Sequence, residues 1–189
     1  MKKQLPITTY GMDILRKKTK PVTKIDSKFI DLVQNMFYTM DRASGIGIAA
    51  PQINLGISLA VIDISAMEEY KNEKPLILIN PVLSDSHGED IQEEGCLSIP
   101  DVRGNVKRAK EIYLKYNDFD MNEISIELKG FMARVAQHEI DHLNGKLFID
   151  YVTPEQKKEI KKQLSDIRKG KIETDYKLHI HSGSDNVLY

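Results

Sequence analysis

EIYLKYNDFDMNEISIELKGFMARVAQHEIDHL, residues 111–143, holds both kinds of regular structure in one short span. Glu111 to Tyr116 and Glu123 to Leu128 alternate apolar and polar side chains on either side of NDFDMN, the pattern of two strands joined as a hairpin. Phe131 to Leu143 then fits a helix, with Asn144 and Gly145 as its stop. Strands followed by segregated helices indicate an α+β protein rather than a doubly wound α/β fold. The expected architecture is antiparallel or mixed β-sheets around a central helix carrying His138-Glu139-Ile140-Asp141-His142, with a further helix towards the C-terminus.

Outward from this span, Leu59 to Ile64 and Leu76 to Val82 are short Ile, Leu and Val-rich runs of strand length. Ser27 to Ala43 predicts a helix, since Ile30, Val33, Met36, Phe37 and Met40 fall on one face, with Asp26 or Ser27 as cap. Gly45 and Gly47 break that pattern, so GIGIAAPQI reads as a turn or irregular extended segment. Pro154 to Lys169 predicts a third helix: Thr153 caps it, Pro154 opens it, Gln156 completes a capping box and Gly170 follows its end. Ile160, Leu164 and Ile167 make a thin stripe on this Lys-rich rod, which is expected on the surface. HIHSGSDNVLY is polar and rich in small residues. One domain is therefore expected over residues 1–175, with a flexible tail over 176–189.

The bulk properties exclude several function classes. The 189 residues are 41% hydrophobic and 29% charged, a globular composition, and carry a formal net charge of −1. Such a balance gives no field for nucleic acid or anionic lipid, and no apolar run is long enough to span a bilayer. Cys96 is the one cysteine, so no intrachain disulfide forms, which fits a reducing compartment. The N-terminal MKKQLPITTYG lacks the apolar stretch of a secretory signal. A cytoplasmic protein is expected, and an organellar origin remains compatible with the sequence.

His138 and His142 stand four apart, one above the other on a helix face, where both imidazoles can reach one cation. Glu139 lies beside the first and can reach a water at that cation without ligating it. A catalytic zinc-type site wants three protein ligands and an open position. One protease pattern places a histidine six residues beyond the second, but Phe148 stands there. Another uses a downstream glutamate. Glu155 and Glu159 lie on the Lys-rich helix and Glu173 near the tail, so none is convincing. Upstream, Glu94-Gly95-Cys96-Leu97-Ser98 offers a thiolate, a strong ligand for a borderline divalent metal. Beside the histidine pair, Cys96 is the best third ligand in the chain. GIGIAAPQ, residues 45–52, is not a phosphate loop, because it has no preceding strand and no Lys-Ser/Thr pair.

Three segments, GIGIAAPQ (45–52), EGCLS (94–98) and QHEIDHL (137–143), together resemble the peptide deformylase family in order and separation. The likeness extends over roughly residues 5 to 152. It implies a hydrolase that removes the formyl group from the N-terminal formyl-methionine of nascent polypeptides. One divalent metal ion per chain is implied, Fe²⁺ natively with Zn²⁺, Ni²⁺ or Co²⁺ as alternatives, held by Cys96, His138 and His142. Metal-bound water would attack the formyl carbonyl, Glu139 acting as general acid–base. Gln52 and the Leu97 backbone N–H would stabilise the developing oxyanion. Ile46, Gly47, Phe131, Val135 and Arg103 are substrate-binding candidates, Phe131 and Val135 being equally readable as core. Glu94 and Arg108 are read as a supporting ion pair or as solvated charges; His87, His179 and His181 are read as solvated. N-formyl-methionyl peptides are the implied partners, with the ribosome as a further candidate. The alternatives are a zinc endopeptidase of the HExxH type, a metal-bearing binding protein without turnover, and a cysteine hydrolase.

Overall fold

The computed structural model describes residues 2–180 together with the strand at 187–188. In chain order it runs β1 (Ile7–Thr8), α1 (Ser27–Arg42), β2 (Gly47–Ala49), β3 (Leu59–Ile62) and β4 (Leu76–His87). There follow β5 (Asp90–Cys96), β6 (Ile99–Arg108), β7 (Glu111–Asn117), β8 (Glu123–Lys129) and α2 (Gly130–Leu143). The chain ends with α3 (Pro154–Arg168), β9 (Leu178–Ile180) and β10 (Val187–Leu188). The α+β architecture is as expected. A five-stranded antiparallel sheet has the order β2-β3-β4-β7-β8, β5 and β6 form a separate hairpin, and β1-β9-β10 make a small mixed sheet.

Burial on β3 explains why helices flank the larger sheet. Leu59 and Val61 point to one side and pack with Val33, Met36 and Met40 of α1. Ala60 and Ile62 point to the other and pack with Ala133, Ala136 and Ile140 of α2. All four are buried, so this strand has no solvent face. Ile30, expected inward on α1, is exposed, because the buried stripe runs instead through Phe29, Val33, Met36 and Met40. Asp26 caps that helix by accepting from the Phe29 N–H at 3.1 Å.

A third core joins Val102 and Val106 of β6 to Phe148, Ile160 and Ile167. Through it α3 is seated on the hairpin while its lysines face outward. The capping box at Thr153 and Gln156 is present. The stretch expected to be a flexible tail begins with a buried strand: Leu178 and His179 pair in parallel with Ile7 and Thr8. Pairing to β1 satisfies that backbone and buries His179, which was expected to be solvated. His181 lies outside the described residues, and His87 is exposed at the end of β4 with its Nε2 3.2 Å from Asp85 Oδ2.

Candidate metal centre

Four elements deliver the site. The turn of the β5–β6 hairpin carries Cys96 and Leu97; α2 carries His138, Glu139 and His142; β2 carries Gly47; and a 3₁₀ turn over Ala50–Ile53 carries Gln52. GIGIAAPQI is thus partly a strand and partly a helical turn rather than irregular. Gln52 stays buried because its Oε1 accepts the Ala49 N–H at 2.8 Å, while its Nε2 donates to Ser98 Oγ at 3.3 Å and lies 3.4 Å from Cys96 Sγ.

Ligand atoms of Cys96, His138 and His142 lie within 4.8 Å of one another. Cys96 Sγ is 3.3 Å from His142 Nε2. The carboxylates considered downstream, Glu155, Glu159 and Glu173, are exposed and stand outside this group. The three donors form a metal-site group whose chemistry, one thiolate and two imidazoles, suits a divalent transition metal. His138 is oriented for it from behind: Nδ1 sits 3.0 Å from Glu94 Oε2, so the proton held there leaves Nε2 free as a donor.

Of the two readings of Glu94, the ion pair with Arg108 is the one present, and the solvated charge is not, since both side chains are buried. The Glu94 side chain is 6% exposed, and it collects Arg108 through Nε at 2.9 Å and Nη2 at 3.0 Å, and Arg134 Nη1 at 2.7 Å. Arg108 also bonds Asp141. Burial alone would raise the Glu94 pKa; hydrogen bonds from His138 and Arg108 outweigh it and lower the group to about 2. Arg134, His138 and Asp141 occupy one stripe of α2 at helical spacing, so the hairpin reaches all three: Glu94 takes Arg134 and His138, and Arg108 takes Asp141. Arg134 was missed in the sequence because its partner lies 40 positions away.

These groups open onto a cleft of about 710 Å³. Ile46, Gly47, Gln52, Cys96, Leu97, Arg103, Phe131, Val135, His138 and Glu139 all line it, whereas His142 is buried behind them. Phe131 is half-buried and stacks on Tyr70 with ring centroids 5.4 Å apart, and Val135 also packs in the α2 core. Arg103 is exposed at the rim and close to Gly95, where a Cβ would approach its Nη1 to 2.6 Å. Glu139 is 3% exposed, and its Oε2 has no hydrogen-bond partner among the described residues. Burial pushes its carboxyl up to about 7. A buried, unpartnered carboxyl at the mouth of a thiolate–imidazole group suits proton transfer near neutral pH.

Comparison with known proteins gives the same answer from a separate direction. Residues 4–158 match the model of the polypeptide deformylase family. The chain belongs to that family. It is 47% identical over 174 residues to a peptide deformylase of Chlorobium phaeovibrioides, covering 92% of each chain. Among solved structures, a Legionella pneumophila peptide deformylase superposes with a TM-score of 0.80 at 36% identity, covering 89% of this chain and 98% of the other. A plant peptide deformylase gives 0.84 at 32% identity, covering 90% and 92%. The chain is accordingly a hydrolase with peptide deformylase activity, acting on formylated peptides. No helix among the described residues is long and apolar enough to cross a membrane.

Proposed function

We propose that this deformylase acts on the N-terminal formyl-methionine of nascent polypeptides, with Glu139 as the proton carrier and Gln52 and the Leu97 N–H as oxyanion donors. The observation that carries this reading is the buried Glu139 carboxyl beside the Cys96, His138 and His142 donors, in one cleft with Gln52. A divalent cation held by those three residues supplies Lewis acidity, lowering the pKa of water towards neutrality and polarising a carbonyl. The thiolate–imidazole set accords with Fe²⁺ as the native ion and admits Zn²⁺, Ni²⁺ or Co²⁺.

Glu139 takes the proton that the attacking water loses and hands it to the departing amine nitrogen, so the carboxyl alternates between base and acid. Gln52 Nε2 and the Leu97 N–H meet the negative charge on the former carbonyl oxygen. Ile46, Phe131 and Val135 offer an apolar seat for the methionine side chain, while Gly47 and Arg103 face the peptide backbone. A Cβ at position 47 would come within 2.5 Å of Glu139 Oε1, a measure of how closely the walls stand. A formyl carbon, which carries only hydrogen, suits so narrow a floor better than an acetyl group. Nascent chains as substrate make the ribosome a transient partner and the cytoplasm the place of action.

Hydrolysis of formyl-Met and acetyl-Met peptides, measured side by side with anaerobic metal analysis, tests this. Turnover of the formyl peptide alone, with one cation per chain, is expected. Equal turnover of both would overturn the specificity.

A further inference from the structure

After α3 the chain turns at Gly170, whose φ is 69°, and returns towards the cleft. Residues 173–176 form part of the cleft rim before β9 joins β1. This return strap lies beyond residue 158, where the family match ends. Ile172 and Tyr176 both pack on the α1 core, as does Leu97. The Tyr176 hydroxyl donates to the Leu97 carbonyl at 2.9 Å, and Thr174 Oγ1 donates to the carbonyl of Tyr176 at 2.6 Å.

Leu97 and Ser98 form the turn between β5 and β6, where Cys96 pairs with Ile99. Turn peptides lack the ladder bonds that hold strand peptides, so their planes rotate unless other groups hold them. The Ser98 carbonyl is held by the Tyr10 N–H at 2.8 Å. The Leu97 carbonyl is held from the strap. A carbonyl fixed in direction restricts the torsions of its own residue, and the N–H of that residue is the one proposed above as an oxyanion donor.

We propose that Tyr176 is a positioning residue, whose hydroxyl pins the Leu97 carbonyl and thereby aims the Leu97 N–H into the cleft. This rests on the reading of Leu97 as an oxyanion donor. Donors of that kind work by being preorganised, so a peptide left free to rock loses part of its effect. Burial raises the phenol above its ordinary value, so it remains a hydrogen-bond donor at any working pH.

The test is Tyr176→Phe in the full chain, loaded with zinc and labelled with ¹⁵N-leucine. Expected are a kcat about tenfold lower on a formyl-Met peptide, part of the roughly 10²–10³ that a lost donor costs, with KM and metal content unchanged. The Leu97 amide resonance should shift or broaden while that of Leu143 in α2 stays in place. An unchanged kcat, an unchanged Leu97 resonance, or a rise in KM alone would overturn the proposal. A second variant replaces the Leu97 peptide nitrogen by an ester oxygen and so deletes the N–H. With the donor gone, Tyr176→Phe should cost nothing further. If the ester alone leaves kcat intact, the donor reading fails. If Tyr176→Phe still lowers kcat in the ester background, positioning fails.

Discussion

Glu94 Oε2 and His138 Nδ1 lie 3.0 Å apart, joining the hairpin to α2 directly behind a metal ligand. The same carboxylate pairs with Arg108 and Arg134, so it has two duties: it orients an imidazole and it is a counter-charge shared by two buried guanidinium groups. Removing it should damage both. Glu94→Ala is expected to weaken metal binding about 10–100-fold, the usual scale for a lost partner of a ligating histidine. It should also cost on the order of 3–5 kcal/mol in stability, because two buried guanidinium groups lose the carboxylate they share, leaving Arg108 with Asp141 and Arg134 with only the more distant Asp90. Competition with a chelating dye and denaturant unfolding read the two effects separately. Wild-type values in both would leave Glu94 without either role.

Glu139→Ala should keep its metal and lose nearly all turnover, by roughly 10²–10⁴, the worth of a general acid–base group. Elemental analysis and steady-state kinetics on one preparation check this. Substantial remaining activity would assign the proton to another group.

Gln52→Leu should lower kcat by about 10²–10³ with metal content unchanged, since a lost oxyanion donor acts on the transition state. The amide also touches Ser98 Oγ, so the melting temperature must be compared. A kcat equal to wild type would remove Gln52 from the donors.

Gly47→Ala places a methyl group 2.5 Å from Glu139 Oε1 and 2.9 Å from its carboxyl carbon unless one of them moves. The carboxyl is expected to swing aside, lowering kcat about 10²-fold, the scale of a misplacement near 1 Å. Metal affinity should be spared, because no ligand is displaced. An unaltered kcat would mean that Glu139 tolerates the shift.

Chelation should abolish turnover, and Cys96→Ala should lose both metal and activity. A cysteine hydrolase would survive the chelator, and an endopeptidase with a carboxylate ligand would survive the substitution. Loading with cation at about 100 times its dissociation constant should raise stability by about 2.7 kcal/mol over the stripped protein, seen as a higher melting temperature.

What could be read from the sequence follows the strength of local patterning. α2 and the β7–β8 hairpin repeat their periods cleanly, and each is found within a residue of its expected bounds. The β5–β6 hairpin was missed for a physical reason. β6 turns Val102, Gly104, Val106 and Arg108 inward, so a glycine and an arginine interrupt the apolar alternation, while the one buried residue of β5 is Glu94. Position 104 holds glycine because a Cβ there would meet Val152 Cγ1 at 2.6 Å, a packing constraint set by a residue 48 positions away. Cys96, His138 and His142 could be grouped because their chemistry is scarce. The Glu94–Arg134 pair and the Tyr176 bond could not, since glutamate, arginine and tyrosine are common and nothing local marks a long-range partner.

The parallel pairing of Ile7 with Leu178 has a consequence for biosynthesis. During translation the segment at residue 7 emerges early and finds no strand to pair with until residue 178 has been made. Its amide groups stay solvated through that interval, and α1 lacks one side of its packing. The seam between β1 and β9 therefore closes only once the whole stretch between them, with Cys96, His138 and His142, has been made.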